Sequence, residues 1–471
     1  MALRVLFVAG EFPPIKTIGR LRSAKFVDYL RKDGFDMTVL TTEANASVSG
    51  FDPALLDEVP SAIELLRVPM LDTEAVLLDP LKQMVRHLGR APDKPSQAPS
   101  TPPASTSSAA NNRLNLKQHS IDAFKWIVRN WIEVPDSYWL WAARAEAVAD
   151  QYCNNTKVDL VFTSLPPFSA ARIGFRLKRK HGIPWVIDYR DLWYGDVLRE
   201  WISPIRRRLE LIRERRYLRY ADAVVAVSEQ KTAFLQTLQP KSSARFLTLT
   251  NGYDPEIYAP YLAEPRAPNA TIDFVFTGRL FKNRRGYSFA EALGQLVAQQ
   301  PALRARVKVH ILGGVSAEIR QRYDEILAQY HIQDLYRFTG DLPYQEAMRA
   351  QVQADYLLLI VDTGTTSSGV IPGKLFEYVA ARRPIFALTD PGATQQIIER
   401  GKIGTVVPAE SVAHCREKLA QWLQRPVPEQ LTGDWAYLAQ FERRNISKRL
   451  ASLLLDVANN SDSPTPAHST N

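Results

Sequence analysis

Three short stretches carry the residue types that handle phosphate and ribose. The first is LIVDTGTTSSGVIPGKLFEYVAARRPIFAL, in which an apolar strand runs into a Gly/Ser/Thr-rich loop, Pro372 and Gly373 introduce a helix, and Glu377 falls one turn inside it. Free N–H groups at a helix start suit phosphate oxygens, here those of Gly369, Val370 and Ile371 or their neighbours, and a carboxylate near that start can accept hydrogen bonds from two vicinal ribose hydroxyls. The alternative for the same Glu is an ordinary surface ion pair. The second stretch, FTGRLFKNRRGY, sets Arg279, Lys282, Arg284 and Arg285 just past another apolar strand, where guanidinium groups can clasp a diphosphate by paired hydrogen bonds. Its bland alternative is a solvated basic loop. The third is the turn at Gly19 in PPIKTIGRLRS, again just beyond a strand and a candidate for anion contact. A Walker loop is excluded, because Gly364 and Gly369 have its spacing but Val370 and Ile371 follow where Lys and Ser/Thr are needed. There is also no GxGxxG and no DxD.

The elements that must position these residues alternate between strand and helix. LRVLFVAG, MTVLTT, DLVFTS, PWVIDY, DAVVAVS and FLTLTN are short apolar runs separated by helical patterns, which predicts a parallel sheet wrapped by helices. IDFVFTGR, RVKVHILGG, LYRFTGD, DYLLLIVD and RPIFALTD repeat the series. The expected architecture is α/β, with two doubly wound, Rossmann-like domains over residues 1–250 and 271–425 and a turn-rich linker at 251–270. Residues 91–112 hold five Pro and two charged residues, a composition read as a flexible insert, and 458–471 read as a disordered tail.

Composition sets outer bounds. With 471 residues, 45% hydrophobic and 23% charged, the chain is globular and long enough for two or three domains. Cys153 and Cys415 lie far apart without CxxC spacing, which argues against a disulfide framework or a thiolate metal site. The opening MALRVLFVAGEFPP reaches Pro too soon for a leader or spanning helix, and the expected location is the cytosol. A net charge of +9 points to an anionic partner, and more than half of it lies in Arg199–Tyr220, with eight Arg against three Glu. That run reads as a solvated helix face or as a surface for anionic lipid. Trp126, Trp131, Trp139 and Trp141 likewise read as helical core or as an interfacial element. Nucleic acid is not expected, because the Arg are interleaved with Glu and Leu at helical spacing and no basic-aromatic module is present.

The pieces FPPIKTIGRLRSAKFVDYLRKDGFDMTVLTT, SLPPFSAARIGFRLKRKHGIPWVIDYRDLW, TNGYDPEIY, FVFTGRL, FTGDLPYQEAM and GKLFEYVAARRPIFAL, in this order, resemble a family-four glycosyltransferase of the GT-B fold. The resemblance covers most of residues 1–425. FERRNISKRLASLLLDV, within 426–457, resembles the terminal helix that crosses back to the first domain. The resemblance implies sugar transfer from a nucleoside diphosphate sugar, bound by the second domain without a cofactor or metal, to a glycan or lipid-linked acceptor held by the first. It implies that Arg279 and Arg285 hold the diphosphate, that Glu377 grips the ribose, and that the base packs near Leu342 and Tyr344. The family often has an acidic residue eight positions before that Glu, where this chain has Gly369. Many relatives also place a His near the reacting sugar, where this chain reads IDYRDLW, with Arg190 and Asp191. Asp191 then orients the acceptor or stabilises positive charge on the sugar, or else pairs structurally with Arg190. A retaining transfer at the inner face of a membrane is the leading expectation. A nucleotide-sugar epimerase and a non-catalytic nucleotide-sugar-binding partner protein are the alternatives.

Overall fold

The computed structural model describes residues 2–43, 50–70, 126, 128–196, 199, 201–266, 270–364, 367–428 and 431–461. The insert expected at 91–112 lies outside them, as does the expected tail beyond Ser461.

The first series comprises β1 (Arg4–Ala9), α1 (Ile18–Lys32), β2 (Asp36–Thr42), β3 (Glu64–Val68), α2 (Trp139–Asn155), β4 (Leu160–Leu165), α3 (Ala171–His181), β5 (Trp185–Tyr189), α4 (Pro204–Tyr220), β6 (Ala223–Ala226), α5 (Glu229–Leu238) and β7 (Arg245–Thr248). Its seven strands are parallel, in the order β3-β2-β1-β4-β5-β6-β7. Successive side chains alternate across the sheet. Phe7 and Phe162 therefore face one core, with Val5 and Leu160, while Leu6 and Val161 face the other, with Trp141 and Trp185. Burial on both faces is why these strands are continuous apolar runs rather than alternating ones.

After α6 (Pro255–Ala263) the second series runs β8 (Ile272–Thr277), α7 (Tyr287–Gln299), β9 (Val307–Leu312), α8 (Ala317–Gln329), β10 (Tyr336–Gly340), α9 (Tyr344–Gln353), β11 (Tyr356–Ile360), α10 (Gly373–Ala381), β12 (Ile385–Leu388), α11 (Ala393–Gly401), β13 (Gly404–Val407) and α12 (Val412–Gln424). Six parallel strands stand in the order β10-β9-β8-β11-β12-β13. Strand order reverses between β8 and β11, so the loops after these two strands open side by side at the carboxyl edge, where doubly wound sheets bind ligands. They are the basic loop and the Gly/Ser/Thr loop singled out above.

Two expectations need revision. The stretch 251–270 is not simply a linker, because Pro255 at the first helical position starts α6, whose Tyr258 is buried. After α13 (Trp435–Leu438), the terminal helix α14 (Arg443–Ser461) runs past residue 458, into the stretch read as tail. Its Ile446, Leu450 and Leu454 share a core with Phe7 and Phe162, so α14 packs on the first domain.

Candidate functional site

Glu377 sits one turn into α10 and is held in place from below. Buried Gln351 donates from Nε2 to Glu377 Oε2 (3.0 Å) and to Thr277 Oγ1 (2.9 Å), while its own Oε1 accepts from Tyr258 Oη (2.8 Å). One carboxylate oxygen is thereby fixed, and the other has no hydrogen-bond partner among the described residues. An oriented, half-buried carboxylate beside a helix start has the geometry for bidentate recognition of two hydroxyls.

Lys374 lies three residues earlier on the same helix, so the two side chains share a face. Its ammonium group occupies the space that a Cβ on Gly278 would fill, and Gly278 is in the left-handed region at φ +118°. Glycine at 278 thus serves both the turn and the cation. Burial and neighbouring Arg284 lower the Lys374 pKa, only partly opposed by Glu377 and Asp362. Arg284 pairs with Asp362, whereas Lys374 forms no ion pair among the described residues. Arg279 is largely exposed and reaches Asp341 at 3.6 Å, a loose contact. Arg285, expected beside the phosphates, follows in the same loop, and its Nε is buried without a hydrogen-bond partner among the described residues.

The facing edge belongs to the first domain. Arg190 donates from Nη1 to Glu11 Oε2 (2.8 Å) and from Nη2 to the Pro166 carbonyl, and its side chain is nearly buried. It does not pair with Asp191. That carboxylate, more than half exposed, takes Lys231 Nζ at 3.2 Å, and the same ammonium donates to the Arg190 carbonyl at 2.9 Å. Gly19 is buried against the Arg190–Glu11 pair, whose atoms fill the place of a Cβ. Its lack of a side chain admits that pair, so Gly19 positions Arg190.

The two edges meet at Gly369. Ser228 Oγ, from the start of α5, donates to the Gly369 carbonyl (2.8 Å), and a Cβ at 369 would lie 3.4 Å from Lys231 Cγ and Gln230 Cβ. Of the three amides expected to meet phosphate, that of Val370 is spent, donating to the Ser367 carbonyl at 2.9 Å within the turn Ser367–Gly369. Ile371 is the second residue beyond that turn. Tyr344 opens α9 half-exposed, with its phenol pKa raised by burial and by Glu377, while Leu342 precedes it, half-buried. A small pocket lined by Arg22, Lys25, Asn251, Glu377 and Arg443 continues the cleft between the domains. No three His, Cys, Asp or Glu side chains converge among the described residues.

Lys374, Gln351, Lys231, Ser228 and Glu11 escaped the sequence reading. Only Lys374 carried a signal, its i−3 spacing from Glu377. The others lie far away in the chain from the residues they touch.

Comparison with known proteins agrees with this architecture. Residues 21–252 match the model of the glycosyl transferase 4-like domain, and residues 271–425 match glycosyl transferases group 1. Among curated proteins, the chain is 29% identical over 197 residues to the putative colanic acid biosynthesis glycosyltransferase WcaL of Salmonella typhimurium, covering 41% of this chain and 47% of that one. It is 25% identical over 218 residues to the D-inositol 3-phosphate glycosyltransferase of Kribbella flavida, covering 45% and 50%. The matched part of this chain thus spans about half the length of these curated relatives. Among solved structures, a glycosyltransferase from Rickettsia africae superposes with a TM-score of 0.58 at 13% identity over 98% of this chain and 99% of that one. Anabaena Alr3699/HepE, solved in complex with UDP and glucose, gives 0.53 at 12% identity over 97% and 98%. With both domain models matched in order across most of the chain and the two-sheet fold shared from end to end, the chain belongs to the family-four glycosyltransferases of the GT-B fold.

Proposed function

We propose that the protein transfers a sugar from a nucleoside diphosphate sugar to a glycan or lipid-linked acceptor in cell-surface glycan assembly, with retention of configuration and without a bound metal. The observation that carries this reading is the pairing on one face of α10 of an oriented carboxylate, Glu377, with a half-buried cation, Lys374, that has no ion pair among the described residues. Glu377 takes the ribose hydroxyls. Lys374 takes the diphosphate, with Arg279 and Arg285 from the loop after β8. As the glycosidic bond to the diphosphate breaks, negative charge grows on the leaving oxygens, and fixed cations in a partly desolvated site stabilise it. The pairing of Lys231 with Asp191 opposite Gly369 leaves a carboxylate at the cleft mouth to orient an acceptor hydroxyl. The curated relative named for colanic acid biosynthesis and the neighbour solved with UDP and glucose support the choice of glycan and nucleotide-sugar substrates.

Thermal unfolding with a panel of nucleoside diphosphate sugars tests this assignment. One donor is expected to raise the midpoint in the wild type, because ligand binds only the folded state. That shift is expected to vanish in Glu377→Ala and shrink in Arg279→Ala. No response to any donor would refute the assignment.

A further inference from the structure

Helix α4 buries three charged side chains and leaves an apolar stripe outside. A surface helix ordinarily buries its apolar stripe and turns its charges to water. Here Arg206, Glu210 and Glu214 are buried alongside Tyr217 and Leu218, whereas Ile205, Leu209 and Ile212, spaced as one stripe, are 64%, 57% and 58% exposed. This arrangement has a local cause. Arg206 Nε pairs with Glu210 Oε1 (2.6 Å) and donates from Nη2 to the carbonyls of Pro135 (2.7 Å) and Glu133 (3.0 Å). The other Glu210 oxygen accepts from Arg199 and from the Trp193 indole, both at 2.8 Å, and Glu214 accepts from the Tyr194 amide. This network holds the polar side inward.

The exposed apolar surface continues beyond the helix. Trp201 is half-exposed just before α4, and Trp131 is half-exposed on the segment whose Asn130 Oδ1 accepts from Ser203 N (3.1 Å) at the helix cap. The helix also exposes Arg207, Arg208, Arg213, Arg215, Arg216 and Arg219. Because both Glu of the helix are buried, the charge that α4 exposes is entirely positive.

Aliphatic side chains, two indoles and an acid-free set of exposed guanidinium groups suit one environment. At a bilayer surface the aliphatic groups enter the acyl boundary, Trp takes the headgroup layer, and Arg meets anionic headgroups. We propose that α4, with Trp131 and Trp201, docks the first domain on an anionic lipid surface. No helix among the described residues is long and apolar enough to cross a membrane, so attachment through this face is peripheral.

Flotation of the full chain with vesicles tests the proposal, independently of whether any donor binds. The protein is expected to float with equimolar phosphatidylglycerol and phosphatidylcholine, to stay behind with phosphatidylcholine alone, and to be released by salt. The combined substitution Ile205→Ser, Leu209→Ser and Ile212→Ser should lower the partition coefficient at least roughly tenfold, with the thermal midpoint unchanged because these side chains are exposed. Arg208→Gln and Arg215→Gln should each lower it by about fivefold. Equal binding to both vesicle types, or binding to neither, would overturn the proposal. So would a drop of several degrees in the midpoint of the serine variant, which would mean that residues 71–125 of this chain cover the stripe. A concentration-dependent dimer in light scattering that the serine variant abolishes would assign the face to a second copy instead.

Discussion

The carboxyl edges of the two sheets treat positive charge in opposite ways. At the first, cations are matched by acids within the fold. Buried Arg22 forks onto Asp188 (2.7 and 3.1 Å) and also donates to the carbonyls of Leu249 and Thr250, and Arg190 holds Glu11. At the second, Arg284 pairs with Asp362, but Lys374 is half-buried over Gly278 with no ion pair among the described residues. A paired buried cation is structural, because its partner offsets the cost of leaving water. A cation left unpaired is unfavourable in the empty protein and becomes favourable when an anion arrives, which marks a binding site. The contrast separates the edge that fixes geometry from the edge that receives charge.

Breaking the structural side should have the largest effect. Arg22→Met strands the buried Asp188 carboxylate and should cost about 3–5 kcal/mol of stability. Thermal unfolding reads it as a large drop in midpoint, and an unchanged midpoint would show that the pair does not hold the domain. Breaking the receiving side should be nearly as large but appear elsewhere. Lys374→Met should lower kcat by about 10²–10³-fold, once a donor is known, while leaving the unliganded midpoint level or slightly higher. A lower midpoint with kcat intact would abolish the contrast.

A smaller effect sharpens it from the first domain. Burial pushes the fully buried Glu214 carboxyl up to about 8, opposed in part by the Tyr194 N–H. The folded protein therefore holds this proton more tightly than the unfolded chain does. The stability so gained is complete below the ordinary glutamate value of 4.5 and is lost as pH rises through about 8. Glu214→Gln should flatten the decline in midpoint between about pH 5 and about pH 9, with the variant the more stable at the alkaline end. Parallel pH profiles for the two proteins would refute this.

The strands were legible because a parallel strand buried on both faces must be apolar throughout, as in YLLLI and IFAL. Glu377 was legible because a loop, a Pro-Gly pair and a carboxylate one turn on form a local pattern. The partner of Arg190 was not, since Glu11 is 179 positions away, nor was Gln351, which is 26 positions from Glu377. The basic loop showed that cations would gather past β8, but not that Arg284 would turn to Asp362.

The sequence by itself determined most of the strands and helices, though not β3 and β13, together with the two-domain plan and the loop that bears Glu377, because these rest on periodicity and turn chemistry acting within a few residues. Only the tertiary structure decided which charges are spent on one another and which remain open. Arg206 and Glu210 of α4 read as part of a solvated face or a lipid surface, and Pro135, Trp193 and Arg199 hold them inward. Pairing of charge depends on contacts between distant segments, and a linear pattern of residue types does not contain those distances.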